Sequence, residues 1–506
     1  MSNSTPTFIH EFLLKTNKYQ IKKLNIKFKV LKELYNTLLA EVFKRHKKSL
    51  NDPRRKEAIE FYNNKKTKIH ANKLFNQIKK DHGLSKYDLQ KVATYKKNNS
   101  YMKDHLDSDT IQVLSDRVYD TYQRWVIGEG GKPRFKSWKN AIKSISGKKN
   151  ACVSFTKNGK VKWTNLLIDV VYDHKDKYQI QQHALNSKIK YCRIKQRTIK
   201  GKVKYYLQLC VEGIPKVKNN HIIGNDIVGL DIGVSTIAAV GSKNAFLAPF
   251  VSELNNIQSD IKKIQRKIAR SQRANNKNNF EPNFYSKGKK KLGKIKKGRK
   301  EWNNSNNYIQ LKNMLKELYR KQADKRQYLH NIMANEVLTI GKNIMVENNP
   351  YKAWQKGWFG KTIGFRAPSL FINTLQRKAE SAGGSVKLID TWSSKLSQYC
   401  HVCNGYHKKS LSQRTHSCKE ITVQRDLYSA LLAKYYNLEA GNVNVTQIRK
   451  NWESLDVVLN RATLTCNNKF RILGNLPSSL GFQELEKRNL HEKAVVVNEG
   501  SLNSLI

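Results

Sequence analysis

Three acidic side chains stand at the ends of apolar segments, where they could bind metal ions. They are Asp231 in VGLDIGVST, Glu347 in IMVENNP and Asp426 in VQRDLYSALLA. Carboxylate oxygens are preferred ligands of Mg²⁺. Three carboxylates on separate elements suit a site for two divalent cations, and such sites cleave phosphodiester bonds. The pattern therefore indicates metal-dependent chemistry on a phosphodiester.

Each carboxylate taken alone has a simpler interpretation. Asp231 precedes Gly233 in a string that sugar kinases and actin-like ATPases use near ATP phosphates, and it could also be a turn residue. Glu347 could face solvent at a strand end, and Asp426 could interact with the dipole of the helix that it opens. The order strand-Asp, strand-Glu, helix-Asp favours one shared site, because a ribonuclease-H-like sheet brings such elements to one edge. The carboxylates would repel one another unless metal neutralised them, so we predict a site for two Mg²⁺ ions.

A second group of metal-binding residues lies just before Asp426. Cys400 and Cys403 form a C-x-x-C pair, and Cys418 follows fifteen residues later. This spacing is close to that of a zinc ribbon. The place of a fourth cysteine is taken by Glu420, so the fourth ligand is left open between Glu420 and His416, with His401 or water as further alternatives. We predict structural zinc, since no thioredoxin-like pattern supports a redox pair.

The charge of the chain points to a polyanionic partner. Its 506 residues include 95 Lys and Arg against 39 Asp and Glu, a formal net charge of +56. Such an excess implies contact with phosphate backbones, because bound cations release condensed counterions. No apolar run approaches the about 20 residues of a membrane span, and neither a signal peptide nor a lipidation motif is visible. Few cysteines predict a reducing compartment, the cytoplasm. We expect no membrane partner, and a monomer is favoured.

The first half is predicted to combine one strand, helices and then a sheet. A strand-like piece begins near Phe8, and residues 28–124 have helical apolar spacing. After a basic and aromatic loop from Lys132, β-type runs predict a barrel or half-open sheet; they cover residues 151–156, 160–164, 187–195 and 203–212. Cys152, Cys192 and Cys210 lie in these runs and are predicted to be core residues.

The second half is predicted to place the three carboxylates around a basic insert. A hairpin of residues 228–230 and 236–240 precedes a charged helix from Ser252, a Lys-rich and Arg-rich stretch at 287–300, and a second helix to Ile340. Such a charge run is often only solvated, but one sign dominates, which favours backbone contact. The tail after Ala440 lacks periodicity, so we expect disorder there, and Cys466 needs no special role.

The second half resembles TnpB proteins, the RNA-guided DNA nucleases of insertion sequences, which are related to compact type V CRISPR effectors. The matching strings agree in order and spacing over roughly residues 227–435. They are VGLDIGVST, IQRKIARSQRANNKNN, NIMVENNP, GFRAPSLFINTLQRKAESAGG, TWSSKLSQYCHVC and KSLSQRTHSC followed by VQRDLYSALLA. The first half matches the family only in its layout.

The resemblance implies a multidomain α+β protein. The expected parts are a β-barrel wedge domain (residues 1–28 and 141–222) and an inserted helical recognition domain (29–140). They are followed by an RNase H-like RuvC α/β nuclease domain with a basic helical hairpin (223–394), an inserted zinc ribbon (395–422), the final RuvC helix (423–440) and a disordered tail (441–506).

The resemblance also implies roles for residues and partners. Asp231, Glu347 and Asp426 fall on the catalytic positions and would bind Mg²⁺. A guide RNA would pair with one strand of double-stranded target DNA, next to a short motif that the N-terminal domains read. Glu420 departs from the family pattern, which puts zinc affinity in doubt and leaves the triad intact.

The leading hypothesis is a transposon-encoded RNA-guided DNA endonuclease. A compact type V CRISPR effector and an RNA-guided repressor that binds without cutting are the alternatives, although a repressor would be marked by loss of a triad residue. A transposase fits the order of the acids poorly, and an actin-like ATPase leaves the charge unexplained.

Overall fold

A computed structural model describes residues 5–63, 67–137, 141–147, 152–218, 221–410, 412–419 and 421–472. The chain divides into two units, Met1–Lys216 and Val217–Ile506. Among the described helices, none has both the length and the apolar character needed to cross a membrane.

The first unit contains one sheet and an inserted set of helices. Its strands are β1 (Thr7–Lys15), β2 (Ser144–Ser146), β3 (Val153–Phe155), β4 (Lys160–Trp163), β5 (Leu166–Val171), β6 (Ile189–Ile199) and β7 (Lys202–Glu212). Its helices are α1 (Lys18–Leu50), α2 (Arg54–Asn63), α3 (Lys68–Asp81), α4 (Lys86–Asn98), α5 (Ser108–Val126) and α6 (Ile180–Asn186). The strand order is β2-β6-β7-β1-β5-β4-β3, and neighbouring strands are antiparallel.

Helix α1 joins the helices to the sheet. It begins with a capping box, in which the Asn17 side chain accepts from Gln20 N and the Gln20 side chain accepts from Asn17 N. Phe28 on α1 packs against Trp163 and Tyr205 of the sheet, with ring centroids 5.5 and 6.0 Å away. Because α1 starts at Lys18, it runs through the boundary expected between residues 28 and 29.

The expected strands and core cysteines of this unit are present. Strands β3, β4, β6 and β7 fall on the four predicted runs. Cys152, Cys192 and Cys210 are buried. Strand β5 was not predicted, although its alternate side chains are buried as a half-buried strand requires.

The second unit is built on a mixed sheet. Its strands are β8 (Ile227–Ile232), β9 (Thr236–Val240), β10 (Ala245–Pro249), β11 (Phe284–Ser286), β12 (Lys289–Lys291), β13 (Asn343–Glu347), β14 (Ser385–Ile389), β15 (Thr415–Cys418), β16 (Ile421–Gln424), β17 (Tyr436–Asn437) and β18 (Asn442–Val443). Its helices are α7 (Leu254–Asn275), α8 (Asn306–Ile340), α9 (Tyr351–Trp354), α10 (Gly360–Arg366), α11 (Pro368–Ser381), α12 (Thr391–Ser394), α13 (Arg425–Lys434), α14 (Val445–Lys450) and α15 (Trp452–Ile472).

The main sheet has the order β10-β9-β8-β13-β14. Strands β8, β13 and β14 are parallel, whereas β9 and β10 form antiparallel hairpins with their neighbours. The carboxyl ends of the three parallel strands therefore meet at one edge of the sheet. The predicted β8–β9 hairpin, the strand that ends at Glu347 and the helix that starts beside Asp426 are confirmed.

The insert between β10 and β13 is a pair of long helices, α7 and α8. Ile264, Ile268 and Leu311 form a small core between them. The predicted basic tip contains the two short strands β11 and β12, and the lysines of β12 are exposed. This insert therefore presents positive charge at one end.

The structure differs from the expectation of a disordered tail after Ala440. Residues 445–472 form α14 and α15, and α15 buries Leu455, Leu459, Ala462 and Cys466 in the core that α13 also contributes to. In the sequence, exposed polar residues separate these apolar positions, so their helical spacing is not evident. Residues 473–506 lie outside the described part of the chain.

Candidate functional site

Asp231 lies on β8, at the edge where the parallel strands end. Burial is the main cause that raises the pKa of its carboxyl group well above the usual value, and the negative charges of Asp426 and Glu347 raise it further. Asp231 therefore lies within electrostatic range of both other sequence-predicted residues. The oxygens of the three carboxylates are more widely spaced than the ligand atoms of a closed metal site, since within the described residues only a separate cysteine cluster has all its ligand atoms within 4.8 Å of one another.

Glu347 is the last residue of β13 and is only 6% exposed. Val346 pairs with Leu230 in the parallel register, so Glu347 and Asp231 follow at the same edge on adjacent strands. Burial raises the pKa of Glu347 to about 7. Its Oε1 atom has no hydrogen-bond partner among the described residues, an arrangement that usually has a functional or ligand-related cause.

Asp426 is supplied by the first turn of α13. The Gln424 side chain caps this helix by accepting from Leu427 N at 2.8 Å. The Thr236 hydroxyl, at the start of β9, donates to Asp426 Oδ2 at 2.8 Å. This bond ties the carboxylate of Asp426 to the start of β9.

The close packing of α13 on β8 depends on Gly229. A Cβ atom at this position would lie 1.8 Å from Ala430 O and 2.4 Å from Lys434 N. No side chain fits that space, so glycine allows the helix to approach the strand. This contact sets the distance between the element that carries Asp231 and the element that carries Asp426.

Two buried side chains donate hydrogen bonds to the backbone just after Asp231. Neither residue was among the sequence-predicted site residues. The Tyr351 hydroxyl donates to Ile232 O at 3.0 Å, and Arg366 Nη1 donates to Val234 O at 2.8 Å. Burial, with the charges of Asp231 and Glu347, raises the pKa of Tyr351, so its phenol remains a donor. A signal was present in the sequence, since Arg366 lies in an apolar stretch where an unpaired cation would be costly.

The chemistry of this donor set fits a divalent metal. Asp231, Glu347 and Asp426 offer oxygen ligands from three elements, and one buried oxygen of Glu347 has no partner. Clustered carboxylates raise one another's pKa unless a cation compensates the charge. Mg²⁺ is a hard cation that binds through carboxylates and retained water, so these residues could hold it.

The second cluster contains Cys400, Cys403, His407 and Cys418. One ligand atom from each of these residues lies within 4.8 Å of the others. The turn that presents them is closed by Cys400 N donating to Gly405 O at 2.9 Å and His407 N donating to Gln398 O at 2.7 Å. Three sulfur ligands and one imidazole form a common set for structural zinc, and this group could bind zinc.

The pKa values of two thiols in this cluster, Cys403 and Cys418, are shifted in opposite directions. A hydrogen bond with His407, whose Nε2 lies 3.0 Å from the sulfur, lowers the pKa of Cys403 to about 6. Burial and the neighbouring thiols raise the pKa of Cys418 to about 11. Proximity to other thiols thus opposes a second thiolate, and a bound cation would remove that opposition.

The fourth member of the cluster differs from the residues considered in the sequence. His416 is buried and stacks on Tyr428 with ring centroids 4.4 Å apart, and it is not part of the group. His401 instead pairs its Nδ1 with the Tyr428 hydroxyl at 2.7 Å. Glu420 lies outside the described residues. The spacing of the cysteines did not identify His407, because this residue lies in a loop and not in a second C-x-x-C pair.

The cysteine turn is attached to the helix that carries Asp426. Backbone N–H of His401 donates to the hydroxyl of Tyr428, which lies on α13. Arg449 Nη2 donates to the carbonyl oxygens of His401 and Val402 at 2.9 and 3.1 Å. The turn is therefore bonded to both α13 and α14.

Comparisons with known proteins give weak likenesses. No protein-family model matches the chain, and no curated protein matches it. The solved structures that are similar to it include a cryo-EM structure of a Cas12f1–sgRNA–target DNA complex and one of a CRISPR-Cas12f ternary complex. The first has a TM-score of 0.43 and 12% identity over 85% of this chain and 98% of that chain. The second has a TM-score of 0.28 and 12% identity over 83% of this chain and 85% of that chain. Both TM-scores are below 0.5, so neither likeness establishes a shared fold.

Proposed function

We propose that this protein is a transposon-encoded RNA-guided DNA endonuclease that hydrolyses phosphodiester bonds with Mg²⁺. The observation that carries the proposal is that three carboxylates stand at one edge of the sheet. Asp231 and Glu347 lie at the ends of adjacent parallel strands, Asp426 is bonded to Thr236 of β9, and one buried oxygen of Glu347 has no partner among the described residues. The TnpB-type strings across residues 227–435 support the same function.

The proposed parts of the molecule follow the two units. The seven-stranded sheet and α1–α5 correspond to a wedge domain and its recognition insert. The five-stranded sheet corresponds to a RuvC nuclease domain, because two hairpins followed by two parallel strands and a covering helix suit an RNase H-like fold. The cysteine turn corresponds to a zinc ribbon inserted before α13.

In the proposed reaction, Asp231, Glu347 and Asp426 would hold the metal ions. Two bound Mg²⁺ ions would supply an activated water and stabilise the charge on the leaving oxygen. The Thr236 hydroxyl holds Asp426 through Oδ2, while Tyr351 and Arg366 hold the backbone beside Asp231. These contacts keep the carboxylates in place before substrate arrives, which lowers the reorganisation needed for reaction.

The proposed partners are a guide RNA and double-stranded target DNA. A net charge of +56 suits a protein that holds long phosphate backbones. Base pairing with the guide would read the target sequence, while the protein would read duplex shape and a short adjacent motif. The exposed lysines of β12 belong to a helical insert that could contact either nucleic acid.

The test begins with the RNA that copurifies with the protein expressed from its native locus. We expect a discrete RNA that maps to one end of the gene and carries a variable 3′ segment. Repeat-derived RNA would favour a type V CRISPR effector instead. Recovery of random RNA alone would contradict the guided model.

The second step is cleavage of DNA that matches the recovered guide, with Mg²⁺ present. Asp231→Ala should abolish cleavage and leave RNA binding intact, because it removes a metal ligand from a largely electrostatic complex. Asp260→Ala, at an exposed position on α7, is the matched control and should cut normally. Binding without cleavage by the unmodified protein would favour the repressor, and cutting by Asp231→Ala would disprove the triad.

A further inference from the structure

Two tryptophan side chains are exposed in the second unit. Trp358 is fully exposed and Trp392 is 80% exposed, whereas Trp163 of the first unit is fully buried. Leaving a large aromatic ring in water forgoes much of the free energy gained by burying it. Clustered exposed apolar side chains commonly mark binding surfaces.

Trp358 lies between the short helices α9 and α10, in a segment that is here called the loop and whose two ends are attached beside Asp231. Residues 351–366 start at Tyr351, which donates to Ile232 O, and end at Arg366, which donates to Val234 O. The first acceptor belongs to the last residue of β8, and the second belongs to the turn that follows this strand. The two ends of the loop are therefore fixed beside Asp231, at the edge of the sheet that carries the carboxylates.

The loop has a defined shape. Gly357 N donates to Trp354 O at 3.1 Å, and Gly360 N donates to Gly357 O at 3.0 Å. A Cβ atom on Gly360 would lie 2.0 Å from Gln355 O, so the turn closes too tightly for a larger residue. Trp354 packs inward against Tyr351 with ring centroids 5.2 Å apart, while Trp358 is presented to solvent.

Trp392 lies on α12, which follows the next strand, β14, at the same edge of the sheet. Glu347 pairs with Ile389 in the parallel register of β13 and β14. The chain leaves β14 at Ile389, and Asp390 caps the short helix α12 by accepting from Ser393 N at 3.0 Å. Trp392 thus lies three residues beyond the residue that pairs with a triad member.

Most charged residues close to the two rings in the sequence are basic, and the exposed Asp390, two residues before Trp392, is acidic. Lys352, Lys356 and Lys361 are exposed in the loop, and residues 351–366 contain no acidic residue. Lys395 is exposed beside Trp392. Exposed aromatic rings among cations suit a polynucleotide strand whose bases are free to stack. In a duplex the base faces are covered, so the two rings would find no partner there.

We propose that Trp358 and Trp392 form a stacking site for bases of single-stranded DNA at the carboxylate site. The proposal rests on the proposed function for the choice of DNA as the polynucleotide. The lysines contact the phosphates and the rings contact the bases. The strand would thereby be held against the sheet edge with its backbone near the three carboxylates.

The experiment uses the full chain with Asp231→Ala, so that binding is measured without cleavage. A single-stranded DNA of about 20 nucleotides, substituted with 5-bromodeoxyuridine, is bound and irradiated, and crosslinked peptides are identified by mass spectrometry. We expect crosslinks on peptides that contain Trp358 or Trp392. Crosslinks confined to other peptides would overturn the proposal, whatever the protein does in a cleavage assay.

Affinity measurements then separate stacking from charge. Trp358→Leu and Trp392→Leu remove the π-face but keep apolar volume, and each should weaken binding by about 5-fold to 100-fold. The Phe variants should retain more of the affinity. The salt dependence of binding should be unchanged in all four, whereas Lys356→Gln should lower it. Equal affinity of the Leu variants and the parent would contradict stacking.

Two further arms test the identity of the occupant. Duplex DNA of the same sequence should lose no affinity in the Leu variants, because its base faces are covered. Dependence on the rings for RNA alone would overturn the choice of DNA. If sedimentation shows a dimer that the Leu variants abolish, the rings serve a second copy of this chain instead. Failure of cleavage by the native protein, with crosslinking intact, would reject only the nuclease function.

Discussion

The ionised form of Glu347 is costly in the metal-free protein. Its side chain is 6% exposed, and burial raises its pKa from 4.5 to about 7. An unfolded chain loses this proton at a lower pH than the folded chain does. The folded state therefore holds the extra proton between the two values, and its stability falls as the pH rises through that window. A catalytic group that is costly in the resting protein is a common feature of active sites.

Glu347→Gln should therefore stabilise the metal-free protein and abolish cleavage. The gain in unfolding free energy should be about 1–3 kcal/mol near neutral or mildly alkaline pH, because each unit of pKa shift corresponds to about 1.4 kcal/mol. It should shrink as the pH is lowered toward the unfolded pKa. Thermal unfolding without Mg²⁺, followed across pH, measures the effect.

The matched control for this substitution is Glu336→Gln, at an exposed position on α8. It should leave both the melting temperature and cleavage unchanged. A Glu347→Gln protein that is less stable than its parent throughout the pH range would show that the carboxylate is compensated within the protein. The interpretation of Glu347 as a metal ligand would then lose its electrostatic support.

The fourth zinc ligand is a second question at the residue scale. His407 lies with its Nε2 3.0 Å from Cys403 Sγ, whereas His416 is stacked on Tyr428. His407→Ala should lower zinc affinity, because it removes a ligand, and Cys400→Ser should lower both zinc content and melting temperature. Elemental analysis of dialysed protein measures zinc directly.

His416→Ala is the comparison for His407→Ala. It should reduce stability by loss of packing while zinc content stays at the level of the parent protein. The opposite result, zinc lost with His416 and retained without His407, would assign the fourth position to His416. Absence of zinc from the parent protein would reject the metal site altogether.

At the scale of elements, the catalytic arrangement depends on how closely α13 packs on β8. Gly229→Ala would place its new Cβ 1.8 Å from Ala430 O, so the helix would have to move. We expect destabilisation of about 1–3 kcal/mol, typical of overpacking, and a large loss of cleavage although all three carboxylates remain. Circular dichroism melting and a cleavage assay measure the two effects.

Gly364→Ala provides the control for Gly229→Ala. Its new Cβ would meet only Gln355 Nε2 at 3.6 Å, an ordinary contact, and alanine favours the helix α10 in which it lies. Its stability should be equal to that of the parent or slightly higher. If Gly229→Ala were equally well tolerated, the position of α13 would not be set by this contact.

Sequence patterns predicted the strands and the helix that carry the triad. They did not predict the contacts between these elements. The β8–β9 hairpin, β13 and α13 each have a local signal in periodicity, a strand-ending proline or an apolar helical run. Helix α15 was missed because its buried face is interrupted by polar residues and becomes apolar only through packing with α13. The role of Gly229 depends on a helix about 200 residues away in the chain, and no local pattern reports that approach.

Some residues of the two candidate metal sites could likewise be identified from sequence, and others could not. Cys400, Cys403 and Cys418 could be found from spacing because two of them share one tight turn. His407 could not, because its position depends on how the loop folds back, through the bond from His407 N to Gln398 O. Tyr351 and Arg366 likewise act on the backbone of a distant turn. Sequence thus identifies the chemistry, while the residues that position it emerge from tertiary structure.

At the scale of the whole molecule, the net charge of +56 could attract nucleic acid to the whole surface or to particular surfaces. Any basic protein binds nucleic acid in a salt-dependent way, and each phosphate contact adds about 0.9 to the slope of log affinity against log salt. If binding is localised, removing charges from the binding surface lowers this slope more than removing the same number elsewhere. If binding is diffuse, the two changes lower the slope equally.

The lysines of β12, Lys289–Lys291, offer that comparison. Replacing all three by Gln should lower the salt slope for guide RNA or target DNA by about 2–3, if each contacts a phosphate. The control replaces three scattered exposed lysines, Lys103, Lys157 and Lys243, and gives the same change in net charge. Fluorescence anisotropy over a range of salt concentrations measures both. Equal slopes in the two variants would mean that the protein holds nucleic acid through its overall field, and a lower slope in the β12 variant alone would identify the basic tip of the α7–α8 insert as a phosphate-binding surface.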